Sequence, residues 1–195
     1  MGPMTEIGFL LVQTLFSLYL GVVILRLLLQ LARADFYNPI SQAMVKATNP
    51  LLLPLRRLIP PLGKVDTASL VLALIVQLIA MVSILLLFGA GLPNIVTLLG
   101  WAVIGCVALT VNIYFFAIII NIILSWVAPG SHHPAAVLLY QLTEPVMQPF
   151  RKLIPPMGGI DLSPILVFLS ISVVQILLKS MAQSAGLSPA LVFGL

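Results

Sequence analysis

The chain has 195 residues, of which 61% are hydrophobic and only 7% charged, with nine Lys or Arg against five Asp or Glu and a formal charge of +4. A soluble domain carries roughly a quarter charged residues, so this composition excludes a chain that keeps its whole surface wet. Among apolar runs long enough for a bilayer, the cation excess is read as orientation and lipid contact, not as nucleic-acid binding.

Ile7–Leu31 reads as a first spanning helix, exceeding the about 20 residues a bilayer needs. The residues before it carry no basic side chain and the apolar run is longer than a signal-peptide core, so no cleaved leader is expected. Arg26 lies near the far end of this span, where a guanidinium that would cost about 3 kcal/mol at the bilayer centre can snorkel. Asn38-Pro39 then supplies an N-cap followed by proline at the first helical position. Ile40, Ala43, Met44 and Ala47 recur at helical spacing, which predicts a short amphipathic helix lying in the interface.

Asn49 to Asp66 is rich in proline and arginine. Pro50 and Pro54 remove backbone donors and Pro60-Pro61 stops a helix, so irregular backbone at headgroup depth is expected, with Arg56 and Arg57 meeting phosphates. Gly63 allows a tight turn, and Asp66 is placed to cap a second span over Thr67–Phe88.

The same stretch returns 95 residues later. Pro50, Pro54, Arg56, Pro60-Pro61, Gly63 and Asp66 map without a gap onto Pro145, Pro149, Arg151, Pro155-Pro156, Gly158 and Asp161. One shift that preserves prolines, cations, a glycine and an acid is a strong repeat signal. It resolves the overlong apolar run Ile95–Val127 into a third span, Ala102–Trp126, with Ile95–Trp101 as an interfacial lead-in. Ala135, Leu138, Leu139 and Leu142 repeat the amphipathic helix, and Asp161-Leu-Ser-Pro164 opens a fourth span to about Met181. Ala182–Leu195 is weakly patterned and reads as interfacial.

The fold expected is therefore all-α: four transmembrane helices as two parallel repeats, residues 1–90 and 91–195, each with an interfacial helix and a Pro/Arg-rich loop. Arg33, Lys46, Arg56, Arg57, Lys64, Arg151 and Lys152 all fall in the two repeat loops, while residues 89–95 carry no cation. The positive-inside rule makes those loops cytoplasmic and puts both termini outside, with Lys179 the dissenting cation.

Two classes of candidate residue follow. Arg56, Arg57, Arg151 and Lys152 read either as a paired docking surface for anionic lipid or a membrane-protein partner, or as topology determinants. Asp66 and Asp161 read as helix caps, ion ligands or counter-ions to Arg26, and Asn121 is the repeat mate of Arg26. Asn112 suits an interhelical hydrogen bond. His132-His133 lack a helical i+4 ligand partner and the single Cys106 sits in an apolar run, so no metal or cofactor is expected. Phosphate-binding glycine motifs, an H-E-x-x-H pattern and a clustered acid–base set are absent, which argues against catalysis.

The run Arg26-Leu-Leu-Leu-Gln-Leu-Ala-Arg-Ala-Asp-Phe-Tyr-Asn-Pro39, both Pro/Arg loops, Leu124-Ser-Trp126 and Gly158-Gly-Ile-Asp-Leu-Ser-Pro164 resemble the YggT family of small bacterial and plastid membrane proteins over nearly the whole chain. The family pattern carries an arginine where this chain has Asn121, so a role needing two symmetric intramembrane arginines is not carried over. The resemblance implies a bacterial cytoplasmic (inner) membrane location, an association with osmotic or salt tolerance, and no enzymatic activity. The expected function is to organise or assist assembly of membrane components, as a homo-oligomer or with a membrane-protein partner. The alternative is a small ion channel or regulator of ion transport in osmotic stress, with Arg26, Asp66, Asp161 and Asn121 along a polar path.

Overall fold

The 95-residue shift is carried into the backbone. A computed structural model describes residues 2–63, 65–154 and 161–195. Its helices run α1 Pro3–Leu31, α2 Pro39–Leu58, α3 Thr67–Leu87, α4 Ile95–Val127, α5 Pro134–Leu153 and α6 Ser163–Ser184, followed by a single 3-10 turn at Pro189–Leu191. Moved by 95, α2 coincides with α5 at both ends. Among the described residues there is no strand, and α1, α3, α4 and α6 are long and apolar enough to cross a membrane. The protein is thus an all-α, four-span chain of two parallel repeats, each a span, a shorter helix, a Pro/Arg-bearing connection and a second span.

The helix starts are set by local chemistry. Asn38 caps α2 by accepting the Ile40 N–H at 2.9 Å, and Asn94 caps α4 by accepting that of Thr97 at 2.9 Å. His133 does the same for α5, its Nδ1 accepting the Ala135 N–H at 3.3 Å. The two repeats pack through α3 against α4 and α1 against α4 and α5, and they meet also at one end of the bundle, where α2 touches α5. There the Asn38 side chain donates to Pro134 O at 2.8 Å and the Asp35 N–H to Gln141 Oε1 at 2.9 Å. Two spans return each half to its starting side, which is why both short helices share an end.

Inside, Leu20, Val23, Ile24 and Leu28 of α1 meet Leu72, Ala73 and Val76 of α3, Ala117 of α4, and Leu138 and Leu142 of α5. Ala68, Ala73 and Ala80 put small side chains on the buried face of α3, letting backbones approach closely, as membrane helices do where lipid offers no hydrophobic force between them. Large apolar groups such as Leu15, Phe116 and Leu169 are exposed on the spans, where lipid is their solvent.

Three expectations are corrected. The chain is helical, not irregular, through Pro50 and Pro54, so α2 is a 20-residue helix and not a short one. Both prolines, and their mates Pro145 and Pro149, lie four apart on an exposed face. The carbonyls they leave unpaired can therefore meet headgroup water, while buried Thr48 and Leu52 hold the inner face. Secondly, Ile95–Trp101 is no separate lead-in: α4 is continuous for 33 residues, about 50 Å, because the Asn94 cap starts it and no proline interrupts it. Thirdly, the tail is not interfacial. Leu187, Leu191, Val192 and Phe193 are buried, packed with Met81 and Ile84 of α3 and Leu98, Trp101 and Ala102 of α4 or with the α1–α3 core. Lys64 and the stretch Pro155-Pro156 with Gly158 lie outside the described residues.

Candidate functional site

In the first repeat Arg26 lies on the inner face of α1 and is 4% exposed. Its Nη1 donates to Thr48 Oγ1 and, at 3.0 Å, to Asn49 Oδ1, both on α2. The Thr48 hydroxyl spends its proton on Met44 O at 2.8 Å, which leaves its lone pairs to accept. Arg26 therefore neither snorkels to the surface nor pairs with an acid: two neutral side chains of α2 hold its Nη1, while its buried Nε has no hydrogen-bond partner among the described residues.

Asp66 is 3% exposed and pairs with the Arg56 guanidinium, not with Arg26. It also caps α3, accepting the Ser69 N–H at 3.4 Å and the Ser69 hydroxyl at 2.7 Å. Burial pushes its carboxyl up, but the bonds from Arg56 and Ser69, with the Arg56 charge, outweigh that and hold it below the usual carboxylate range. The turn before it closes through reciprocal Leu62 and Val65 backbone bonds of 3.1 Å, with Gly63 at φ +62°.

The second repeat uses the same positions differently. Asn121 donates to Thr143 Oγ1 at 3.0 Å, the mate of the Arg26–Thr48 contact. Arg151 bridges two acids, Asp161 at 2.9 Å and Glu144 at 2.5 Å. Burial lowers the Arg151 pKa, but the bonds and charges of those acids win and raise it. Asp161 accepts the Ser163 N–H at 2.9 Å at the start of α6; burial lifts its carboxyl while Ser163 and Arg151 bring it down past the ordinary value. Asn121, Arg151 and Asp161 all line one cavity of about 590 Å³.

The four basic residues expected to act alike thus divide. Arg56 and Arg151 are held by acids at the mouths of the spans, whereas Arg57 and Lys152 are exposed and have no ion-pair partner among the described residues. Hydrogen bonds and ion pairs join Arg26 to α2 within the first repeat and Asn121 to α5 within the second; none described runs between the two clusters.

A third polar set gives Asn112 the interhelical hydrogen bond expected of it and adds Gln77, Gln175 and Trp101, which the sequence reading missed. Gln77 of α3 donates to Leu191 O at 3.3 Å, Asn112 of α4 donates to Gly194 O at 2.8 Å, and Gln175 of α6 donates to Asn112 Oδ1 at 2.9 Å. Trp101 Nε1 donates to Ala185 O at 3.0 Å. Gln77 and Asn112 satisfy tail carbonyls near the midpoints of α3 and α4, which irregular backbone there requires. The available signal was Gln77 and Gln175, polar residues at mid-span. Among the described residues no group of three His, Cys, Asp or Glu is placed to hold a metal ion.

Comparison with known proteins follows the same division of the chain. The family model CCB3/YggT matches residues 5–87 and again residues 100–182, two segments related by the 95-residue shift. A Pseudomonas aeruginosa protein is 52% identical over 177 residues, covering 90% of each chain. The YggT protein of Escherichia coli strain K12 is 37% identical over 190 residues, 94% of each. The Arabidopsis thaliana chloroplast protein CCB3, whose name describes cofactor assembly of complex C, is 36% identical over 67 residues, 33% of this chain and 38% of that one. No solved structure matches. With its two halves each matched and its full-length relatives bearing the name, the chain belongs to the CCB3/YggT family.

Proposed function

We propose that this membrane protein, set in the bacterial cytoplasmic membrane, organises or assists the assembly of other membrane components. It does so from a paired cytoplasmic face without catalysing a reaction. The observation that carries this reading is the side-by-side contact of α2 and α5 at one end of the bundle. Each helix offers an exposed cation in its last turn, Arg57 and Lys152, beside an arginine already neutralised by acids. Such cations attract anionic headgroups by about 1 kcal/mol each and leave the face available to a membrane-protein partner. Both basic loops then face the cytoplasm and the termini the periplasm. The assembly role named for the Arabidopsis relative CCB3 favours the same class of work. A conduit reading asks Arg26, Asp66, Asp161 and Asn121 to form one path, whereas they occupy two clusters, and it gains no specific observation.

The test is photo-crosslinking in native membranes from positions 53 and 148, exposed repeat mates one turn before Arg57 and Lys152. A discrete crosslinked protein, lost in the double substitution Arg57→Gln with Lys152→Gln while membrane insertion is unchanged, is expected. Crosslinks to lipid alone, indifferent to that double substitution, would remove the assembly reading.

A further inference from the structure

The two repeats share a frame, so the residues at which they differ can be read against each other. In the first repeat the place between the two spans and the short helix is filled. Arg26 is 4% exposed, and its neighbours Leu27, Leu52, Asp66 and Ser69 are all buried. The guanidinium occupies it, on Thr48 and Asn49. In the second repeat Met147, the mate of Leu52, stays buried, but Asn121, Ile122, Asp161 and Pro164 are only half-buried, and with Arg151 and Trp126 they line the cavity of about 590 Å³.

Three exchanges accompany the opening. Arg26 has Asn121 as its mate, which removes a cation; Asn49 has Glu144, which adds an acid; Leu31 has Trp126, which adds an aromatic ring at the mouth. The Arg26, Arg56 and Asp66 charges leave the first cluster with one net positive charge, while Glu144, Asp161 and Arg151 leave the second with one net negative charge. The Glu144 and Asp161 side chains are 29% and 31% exposed, so this excess negative charge is within reach of a cation approaching from outside.

We propose that this cavity binds a planar guanidinium cation from outside the chain, seated on Asn121 and Asp161 against Trp126, at the place where the first repeat seats its own Arg26. The pattern of acceptors fits that shape. Asn121 gives its amide hydrogens to Thr143, leaving its carbonyl oxygen to accept, and the Asp161 carboxylate lines the same cavity. Trp126, 79% exposed, offers the ring face on which such cations rest. The group can belong to a free alkylguanidinium or to an arginine of another membrane helix. This site is independent of the assembly reading, since it uses neither Arg57 nor Lys152.

The experiment is thermal unfolding of the full chain in nanodiscs with two probes: propylguanidinium, and an apolar transmembrane peptide carrying one arginine near its end. Sodium chloride at the same concentration and the peptide with leucine for arginine are the controls. A saturable rise of about 2–6 °C is expected with at least one probe. The free cation is the source if propylguanidinium gives it; the partner arginine is the source if only the peptide does. Asn121→Arg is expected to supply the missing guanidinium internally, raising the unfolding temperature without any probe and abolishing the response. Trp126→Leu, at an exposed position that leaves folding intact, is expected to weaken binding about 3- to 10-fold. No shift beyond the controls with either probe, or an undiminished shift in Asn121→Arg, overturns the proposal.

Discussion

Replacing Gly105 with leucine is expected to expel the C-terminal segment from the bundle. A Cβ at Gly105 would stand 3.0 Å from Val192 Cβ and 3.2 Å from Gln77 Cδ, so a leucine there has no space that the tail does not already fill. Gly194 allows the same close approach from the other side, with φ +96° and a Cβ position 2.8 Å from Leu109 N. Within lipid no hydrophobic force holds the tail; its hold is dispersion contact and the bonds from Gln77 and Asn112. Overpacking costs about 1–3 kcal/mol and each interhelical hydrogen bond about 0.6 kcal/mol, so a loss of about 2–4 kcal/mol is expected. Thermal unfolding in detergent and the rate of carboxypeptidase digestion both read it. Gly100→Leu is the control, since a Cβ at Gly100 meets nothing within 4 Å. Equal stability and equal digestion of the two variants would contradict the buried tail.

The second large effect separates Arg56 from Arg57. Arg56→Gln leaves the Asp66 carboxylate, 3% exposed, with Ser69 as its remaining side-chain partner. Breaking a buried pair costs about 3–5 kcal/mol, and the 36% exposure of the Arg56 side chain reduces that to about 2 kcal/mol. Arg57→Gln is expected to stay within about 0.5 kcal/mol. Acid titration gives an independent reading. Asp66 and Asp161 have folded pKa values below their unfolded ones, so their contribution is present above the ordinary carboxylate value of about 3.9. It is lost as the pH falls through the lower folded values. The unfolding temperature should therefore be level down to about pH 5 and fall below about pH 4, less steeply in Arg56→Gln. Identical stabilities for the Arg56 and Arg57 variants would mean that no buried pair is formed.

What could be read from the sequence was whatever repeats. The ungapped shift placed the second helix pair, aligned Arg56 with Arg151 and Asp66 with Asp161, and put both acids at the starts of spans, where they sit. What could not be read was set by tertiary context. Proline rules apply to a helix in isolation, and α2 overrides them because Pro50 and Pro54 both face outward while Thr48 and Leu52 are held inside. Arg26 looked like a residue seeking water or an acid, yet Thr48 and Asn49, more than 20 positions away, take the hydrogen bonds of its Nη1. The tail lacks periodicity because it is a run of turns around one 3-10 turn, with carbonyls answered by α3 and α4. Nothing within Leu187–Leu195 announces those partners.

The measurement closest to the central claim is the accessibility of cysteines placed at 57 and 152, one in each repeat, in a Cys106→Ala background. Two halves that enter the membrane pointing the same way predict that an impermeant maleimide labels both from the cytoplasmic side, in inverted vesicles and not in right-side-out ones. Labelling of one from each side would contradict the paired face, and with it the function proposed for it.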